Sequence, residues 1–143
     1  MLPIRILVVD DFEGWRKKIC GMLSKWSGLQ VVAEAEDGLD AVQKAKELRP
    51  DLVLLDIGLP KLDGIRAAPL VFQCSPTSKI VFVSQENQTE IIRVALDTGA
   101  SAYIQKLNAP TELLTVIAAV FGYQPKVALG RNGRPVAKQP VSV

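Results

Sequence analysis

The 143-residue sequence contains no histidine. That absence excludes Ser-His-Asp and Cys-His nucleophile systems, an HExxH zinc site, and any phosphoryl group carried on a histidine of this chain. Whatever chemistry the chain performs must run on carboxylates, hydroxyls and lysines. Cysteine is scarce as well. Cys20 and Cys74 both fall in segments with helical periodicity and read as free buried thiols rather than as a disulfide or a metal site. No stretch approaches the unbroken apolar run of roughly 20 residues that a membrane span needs. The start, MLPIRILVVDD, does not have the shape of a signal peptide, because acids follow its short apolar run and no small-residue cleavage site appears. A cytoplasmic protein without a membrane association is expected.

What is present suits one domain with a real core, since 48% of the residues are hydrophobic. The net charge of +2 conceals an asymmetry. Residues 124–143 carry Lys126, Arg131, Arg134 and Lys138 and no acid; setting those four aside leaves 13 of the 17 basic residues against 15 acidic ones, a net of −2 for 1–123. With three prolines, two glycines and no periodic apolar pattern, 123–143 reads as a basic tail, disordered or a linker. Its cations are too few, and too lacking in aromatic neighbours, to indicate nucleic-acid binding.

Before the tail, two periodicities alternate. Ile4 to Val9, Leu29 to Ala35, Leu52 to Leu55, Ile80 to Val83 and Ala102 to Gln105 are short apolar runs with strand character. Between and after them lie helical patterns. Phe12, Trp15, Ile19, Met22, Leu23 and Trp26 form one apolar face, stopped by Gly28. Further helices are expected over Leu39 to Leu48, Ile65 to Phe72, Glu90 to Leu96 and Thr111 to Phe121, with Pro69 bending or splitting the third. Strict alternation of five strands and five helices predicts an α/β fold, a doubly wound parallel sheet with helices on both faces. Right-handed crossovers then put every strand's carboxyl end on one edge, where such sheets bind ligands.

Asp10, Asp11, Asp56, Ser84 and Lys106 all stand at or just past those ends. Asp56 is the most telling, a carboxylate pushed straight off the buried run LVLL. Three carboxylates at close range raise one another's pKa unless a cation joins them. Oxygen donors of this kind suit Mg²⁺, and Ca²⁺ less so for want of a loop of closely spaced acids. Lys106 supplies a point charge for a phosphoryl oxygen and Ser84 a hydroxyl donor. Together they read as an electrostatic clamp for phosphoryl transfer, with Asp56 the acceptor.

Asp10-Asp11 after the first strand, Asp56 after the third with Pro60 four residues later, Ser84 after the fourth and Lys106 after the fifth resemble the receiver domain of bacterial two-component response regulators. VVAEAEDGLDAV (31–42) and GASAYIQK (99–106) are most similar to the NarL/LuxR-type subfamily. The resemblance covers about 1–122 and implies a flavodoxin-like, five-stranded sheet of order 2-1-3-4-5. It implies that Asp56 accepts a phosphoryl group from a sensor histidine kinase or phosphotransfer protein. It implies that Asp10, Asp11, Asp56 and the backbone carbonyl of Gly58 hold Mg²⁺, that Ser84 and Lys106 bind the phosphoryl group, and that Tyr103 is an aromatic switch. The fourth helix, fifth strand and fifth helix would then present the face for a downstream protein or a homodimer. Such a domain is a signalling phosphoacceptor with at most self-phosphotransfer and autodephosphorylation, not an enzyme.

Two positions depart from the family pattern. Leu107 stands where a proline usually follows the lysine, so a cis bond there is disfavoured and Lys106 is open to a different placement. Gln85 stands where a small residue is usual, and narrows the approach to Asp56. These departures motivate a second reading, a receiver-like interaction module that is not phosphorylated. A haloacid-dehalogenase-type hydrolase is disfavoured by Gly58, where that chemistry wants a second acid, and flavin binding by the acidity of the rim. The residues left after the domain are too few for the helix-turn-helix output domain usual in the subfamily. The chain then reads either as a stand-alone receiver or as a fragment ending in a linker.

Overall fold

The computed structural model describes residues 2–122; the expected tail, 123–143, lies outside the described residues. In chain order the elements are β1 (Ile4–Val9), α1 (Glu13–Leu23), β2 (Leu29–Ala35), α2 (Gly38–Leu48), β3 (Leu52–Leu55), α3 (Gly64–Cys74), β4 (Lys79–Ser84), α4 (Thr89–Asp97), β5 (Ala102–Gln105) and α5 (Ala109–Phe121), with a short 3-10 turn, Lys106–Asn108, before the last helix. The strands pair in parallel in the order β2-β1-β3-β4-β5. This is the doubly wound parallel sheet that the alternation predicts, in the flavodoxin-like order that the resemblance implies.

The two helical layers sort the strand residues by parity. Leu7, Val9, Val53, Leu55, Ile80 and Phe82 face α2, α3 and α4, meeting Ala41, Ala45, Ala68, Val71 and Ala95. Ile6, Val8, Leu52, Leu54, Val81, Val83 and Ile104 face α1 and α5, meeting Ile19, Leu23, Leu113 and Ile117. With both faces covered, all four residues of β3 are buried, which is why the strand is an unbroken apolar run rather than an alternating one. Cys20 packs beside the second cluster and Cys74 beside the first, so the sheet lies between them. Both thiols are free and half-buried rather than fully buried.

Three local expectations change. Phe12 is the residue before α1, 66% exposed, and does not belong to the apolar face that its spacing suggested. The helix ends at Leu23 under a Ser24 cap, ahead of Gly28, and buried Trp26 sits in the following turn. The third helix runs unbroken from Gly64 through Pro69 to Cys74. Its buried side, Ala67, Ala68 and Val71, is held against the sheet, while Pro69 lies on the exposed side.

Helices α2 and α3 begin alike, on Asp-Gly pairs. Asp37 accepts a hydrogen bond from the Asp40 amide at 2.7 Å, and Asp63 one from the Arg66 amide at 2.9 Å. Such caps satisfy one of the amides a helix start leaves unpaired. Asp37→Ala is expected to cost about 1 kcal/mol. A thermal melt should show this as a drop of about 4 °C; an unchanged midpoint would show that water replaces the cap at no loss.

Candidate functional site

The strand order assembles the site. Val9 pairs with Leu55, and the Asp56 amide donates to the Val9 carbonyl at 3.1 Å, so Asp10 and Asp56 leave neighbouring strands side by side. Asp10 and Asp56 are buried and Asp11 is exposed; one oxygen from each lies within 4.8 Å of the others. Ser84 ends β4 and Lys106 follows β5, and the same edge holds a cleft of about 430 Å³ lined by all five, with Gly58 and Gln85 at its wall. Every residue singled out in the sequence as a candidate ligand or phosphoryl contact therefore borders this one space.

Asp56 is fixed at both oxygens. Its Oδ1 accepts from the Ile57 amide at 2.8 Å and its Oδ2 from the Lys106 ammonium at 3.2 Å. Lys106 Nζ also stands 2.6 Å from Asp10 Oδ2. The Lys106–Leu107 peptide is trans, Leu107 is 85% exposed, and the ammonium still reaches both carboxylates.

The charges are unevenly matched: three carboxylates face one ammonium. Burial raises the Asp10 pKa above the usual carboxylate value; the contacts with Lys106 and the Phe12 amide oppose this, and the charge of Asp56 adds to it. Burial alone would lower the Lys106 pKa, but the contact with Asp10 and the charges of Asp56 and Asp10 overturn it and hold it above the ordinary lysine value. A single ammonium shared by two acids has an excess of negative neighbours, and each acid has too little positive charge.

Asp10 Oδ1 accepts from the Phe12 amide at 2.9 Å. Oδ2 is buried, and its close partner is the Lys106 ammonium 2.6 Å away. An all-oxygen donor set and an excess of two negative charges, only partly offset by one shared ammonium, fit a hard divalent cation such as Mg²⁺.

Beyond the acids, the loop after β4 is tied to β5. Ser84 Oγ accepts from the Glu86 amide at 3.3 Å, and the Tyr103 hydroxyl donates to the Glu86 carbonyl at 2.7 Å. The half-buried Tyr103 ring lies 6.2 Å from that of Phe82. Burial, opposed by Ser84 and reinforced by the charges of Glu86 and Asp56, raises the Tyr103 pKa, so the phenol stays a neutral donor.

Four site residues were not legible as such. Arg16 donates from Nη1 to the Asp10 carbonyl at 2.7 Å and from Nε to Glu34 at 3.0 Å, bracing the backbone of the acid pair. The Trp15 ring centroid lies 5.2 Å from the Lys106 ammonium. Gly64 and Gly38 give the Asp56 loop room: a Cβ on Gly64 would lie 1.9 Å from the Asp56 carbonyl oxygen, and one on Gly38 would lie 1.8 Å from that of Leu62. The repeated Asp-Gly pair was the available signal for the glycines. For Trp15 and Arg16 the sequence held none.

Comparison with known proteins agrees with this fold. The family model described as the response regulator receiver domain matches residues 6–118. Response regulator protein VraR of Staphylococcus saprophyticus is 35% identical over 120 residues, which cover 84% of this chain and 57% of that one. The chain thus spans little more than half the length of this relative. Among solved structures, the receiver domain of the putative regulator NarL from Mycobacterium tuberculosis is similar, with a TM-score of 0.80 and 27% identity over 87% of this chain and all of that one. A CheX–CheY–BeF3–Mg²⁺ complex from Borrelia burgdorferi gives a TM-score of 0.78 and 27% identity over 84% of this chain and 90% of that one.

Proposed function

The chain belongs to the response regulator receiver domain family, and from that premise we propose that residues 1–122 form a phosphoacceptor domain whose Asp56 takes a phosphoryl group from the phosphohistidine of a sensor kinase or phosphotransfer protein. The observation that carries this reading is the convergence of three carboxylates and Lys106 on one cleft, with Asp56 fixed at both oxygens. A carboxylate oxygen of Asp56 attacks phosphorus. The new P–O bond forms as the P–N bond to the donor breaks, and its electron pair stays on the imidazole nitrogen. Lys106 and Ser84 meet the incoming phosphoryl oxygens, while Asp10, Asp11, Asp56 and the Gly58 carbonyl would hold Mg²⁺. That ion, when bound, would neutralise charge on the transferring group.

Phosphorylation adds acceptor oxygens and negative charge beside Ser84. Moving Ser84 toward them pulls the loop that Tyr103 holds through the Glu86 carbonyl, and the tyrosine repacks with it. The face of α4, β5 and α5 then changes for a downstream protein or a second copy. Shifting such an equilibrium from 1:99 to 99:1 takes about 5.5 kcal/mol, within reach of a few charge-assisted bonds. A cytoplasmic site of action suits this role, and among the described residues no helix is long and apolar enough to cross a membrane.

Intact mass after incubation with acetyl phosphate and Mg²⁺ tests the proposal. One phosphoryl group should be added, and EDTA should prevent it. Should no label appear, and beryllofluoride with Mg²⁺ also fail to bind, the domain is instead an unphosphorylated interaction module, with Gln85 at the cleft wall as its barrier.

A further inference from the structure

Lys106 is the basic residue lining the cleft, and its own loop does little to fix it. It opens a 3-10 turn, and the next side chain, Leu107, points into solvent. A lysine ammonium is a point charge on a flexible four-carbon stem, free to choose among many rotamers. Two kinds of neighbour hold it here. The carboxylates of Asp10 and Asp56 lie within ion-pair distance, and the half-buried ring of Trp15, near the start of α1, lies 5.2 Å from the nitrogen.

These two holds respond oppositely to a cation in the acid cluster. A divalent ion takes up the carboxylate charge and repels the ammonium, so the ionic hold weakens when the site is loaded. The attraction between a cation and an aromatic face arises from the ring quadrupole and does not depend on the acids. We propose that Trp15 is a positioning residue that keeps the Lys106 ammonium in the cleft when the acid cluster is occupied by a cation. The inference rests on the phosphoacceptor reading of that cleft. Lys18, 5.8 Å from the same ring, is exposed and keeps its own hydration, so it does not replace Lys106 there.

The alternative is that Trp15 only fills space, since it also packs beside the core between the sheet, α1 and α5. Trp15→Leu keeps apolar bulk without a ring, and Trp15→Phe keeps a ring. Binding of beryllofluoride with saturating Mg²⁺, followed by calorimetry, should weaken about 3- to 10-fold in the leucine variant, the range expected for one cation–π contact. The phenylalanine variant should recover most of that loss. Mg²⁺ alone should bind the leucine variant as tightly as the parent, or more so. Equal losses in both variants, or none in the leucine variant, would overturn the proposal.

A second readout does not need a working phosphoryl site. In a Trp26→Phe chain Trp15 is the sole tryptophan, and its emission should change on Lys106→Met. Were beryllofluoride to bind no form of the protein, the phosphoacceptor reading would fall, and this emission would still judge the contact. Unchanged emission would remove it.

Discussion

Asp56→Ala is expected to take up no phosphoryl group under conditions that label the parent, and to lose the part of its thermal stability that Mg²⁺ confers. The first effect is the loss of the nucleophile. No neighbouring acid is equivalent: Asp10 is braced by the Phe12 amide and its other oxygen is buried, while Asp11 is exposed. The second effect follows from linkage. An ion that binds only the folded state stabilises it by about 2.7 kcal/mol when present at a hundred times its dissociation constant. In a domain of this size that amounts to roughly 10 °C. The parent should show the shift and the variant almost none of it. Without Mg²⁺ the variant should melt no lower than the parent by much, because it loses a like-charged neighbour of Asp10 while Lys106 keeps Asp10 as its partner. Labelling of the variant, on Asp11 for instance, would show that the acceptor is misassigned. An undiminished Mg²⁺ shift would place the metal elsewhere.

The parts of this site visible in the sequence are those the backbone alone positions. Leu52 to Leu55 can be a buried strand in only one way, so the next residue must leave the sheet at its carboxyl edge, and Asp56 is placed by that fact. Asp10, Ser84 and Lys106 follow by the same logic. Parallel strands end on one rim whatever their side chains do. The parity that separates Ile6 and Val8 from Leu7 and Val9 was implicit once both faces had to be covered. What stayed hidden depends on distances between elements. Trp15 and Arg16 follow Asp10 by only a few residues, yet the first reaches Lys106, ninety-one positions away in the chain, and the second the Asp10 carbonyl, contacts that only the folded arrangement shows. Phe12 was misread because helical spacing continues through a residue that only precedes the helix. Pro69 was expected to bend or split α3; the helix is not split, and packing on its buried side outweighs one lost bond on the exposed side.

Gly64 shows the same limit with the largest structural consequence. Gly64→Ala is expected to destabilise the fold by about 1–3 kcal/mol, the usual cost of forced overpacking, although local propensity argues the reverse. Gly64 is the first residue of α3 and has no left-handed φ to protect, and alanine is the better helix former by about 1 kcal/mol. Against this, an added Cβ would stand 1.9 Å from the Asp56 carbonyl oxygen, 2.9 Å from its carbon and 3.0 Å from the Ile57 Cα, where ordinary contact begins near 3.4 Å. All three are backbone atoms, so no flexible side chain can swing away. The same backbone is tied to α3 by the Gly64 amide, which donates to the Ile57 carbonyl at 2.8 Å. Relief must therefore come from moving the Asp56–Ile57 segment. Because the Ile57 amide also holds Asp56 Oδ1, the carboxylate moves with it, and Mg²⁺ affinity should fall along with stability. Gly21→Ala is the matched control. Gly21 lies inside α1 on its exposed side, and a Cβ there would meet nothing within 4 Å. That change should stabilise the fold by about 0.5–1 kcal/mol and leave Mg²⁺ binding alone. Urea unfolding of the two variants, with and without Mg²⁺, should give opposite signs. If Gly64→Ala proved as stable as Gly21→Ala and bound Mg²⁺ like the parent, the Asp56 loop would not lie against α3, and the site's geometry would have to be fixed by the strands alone.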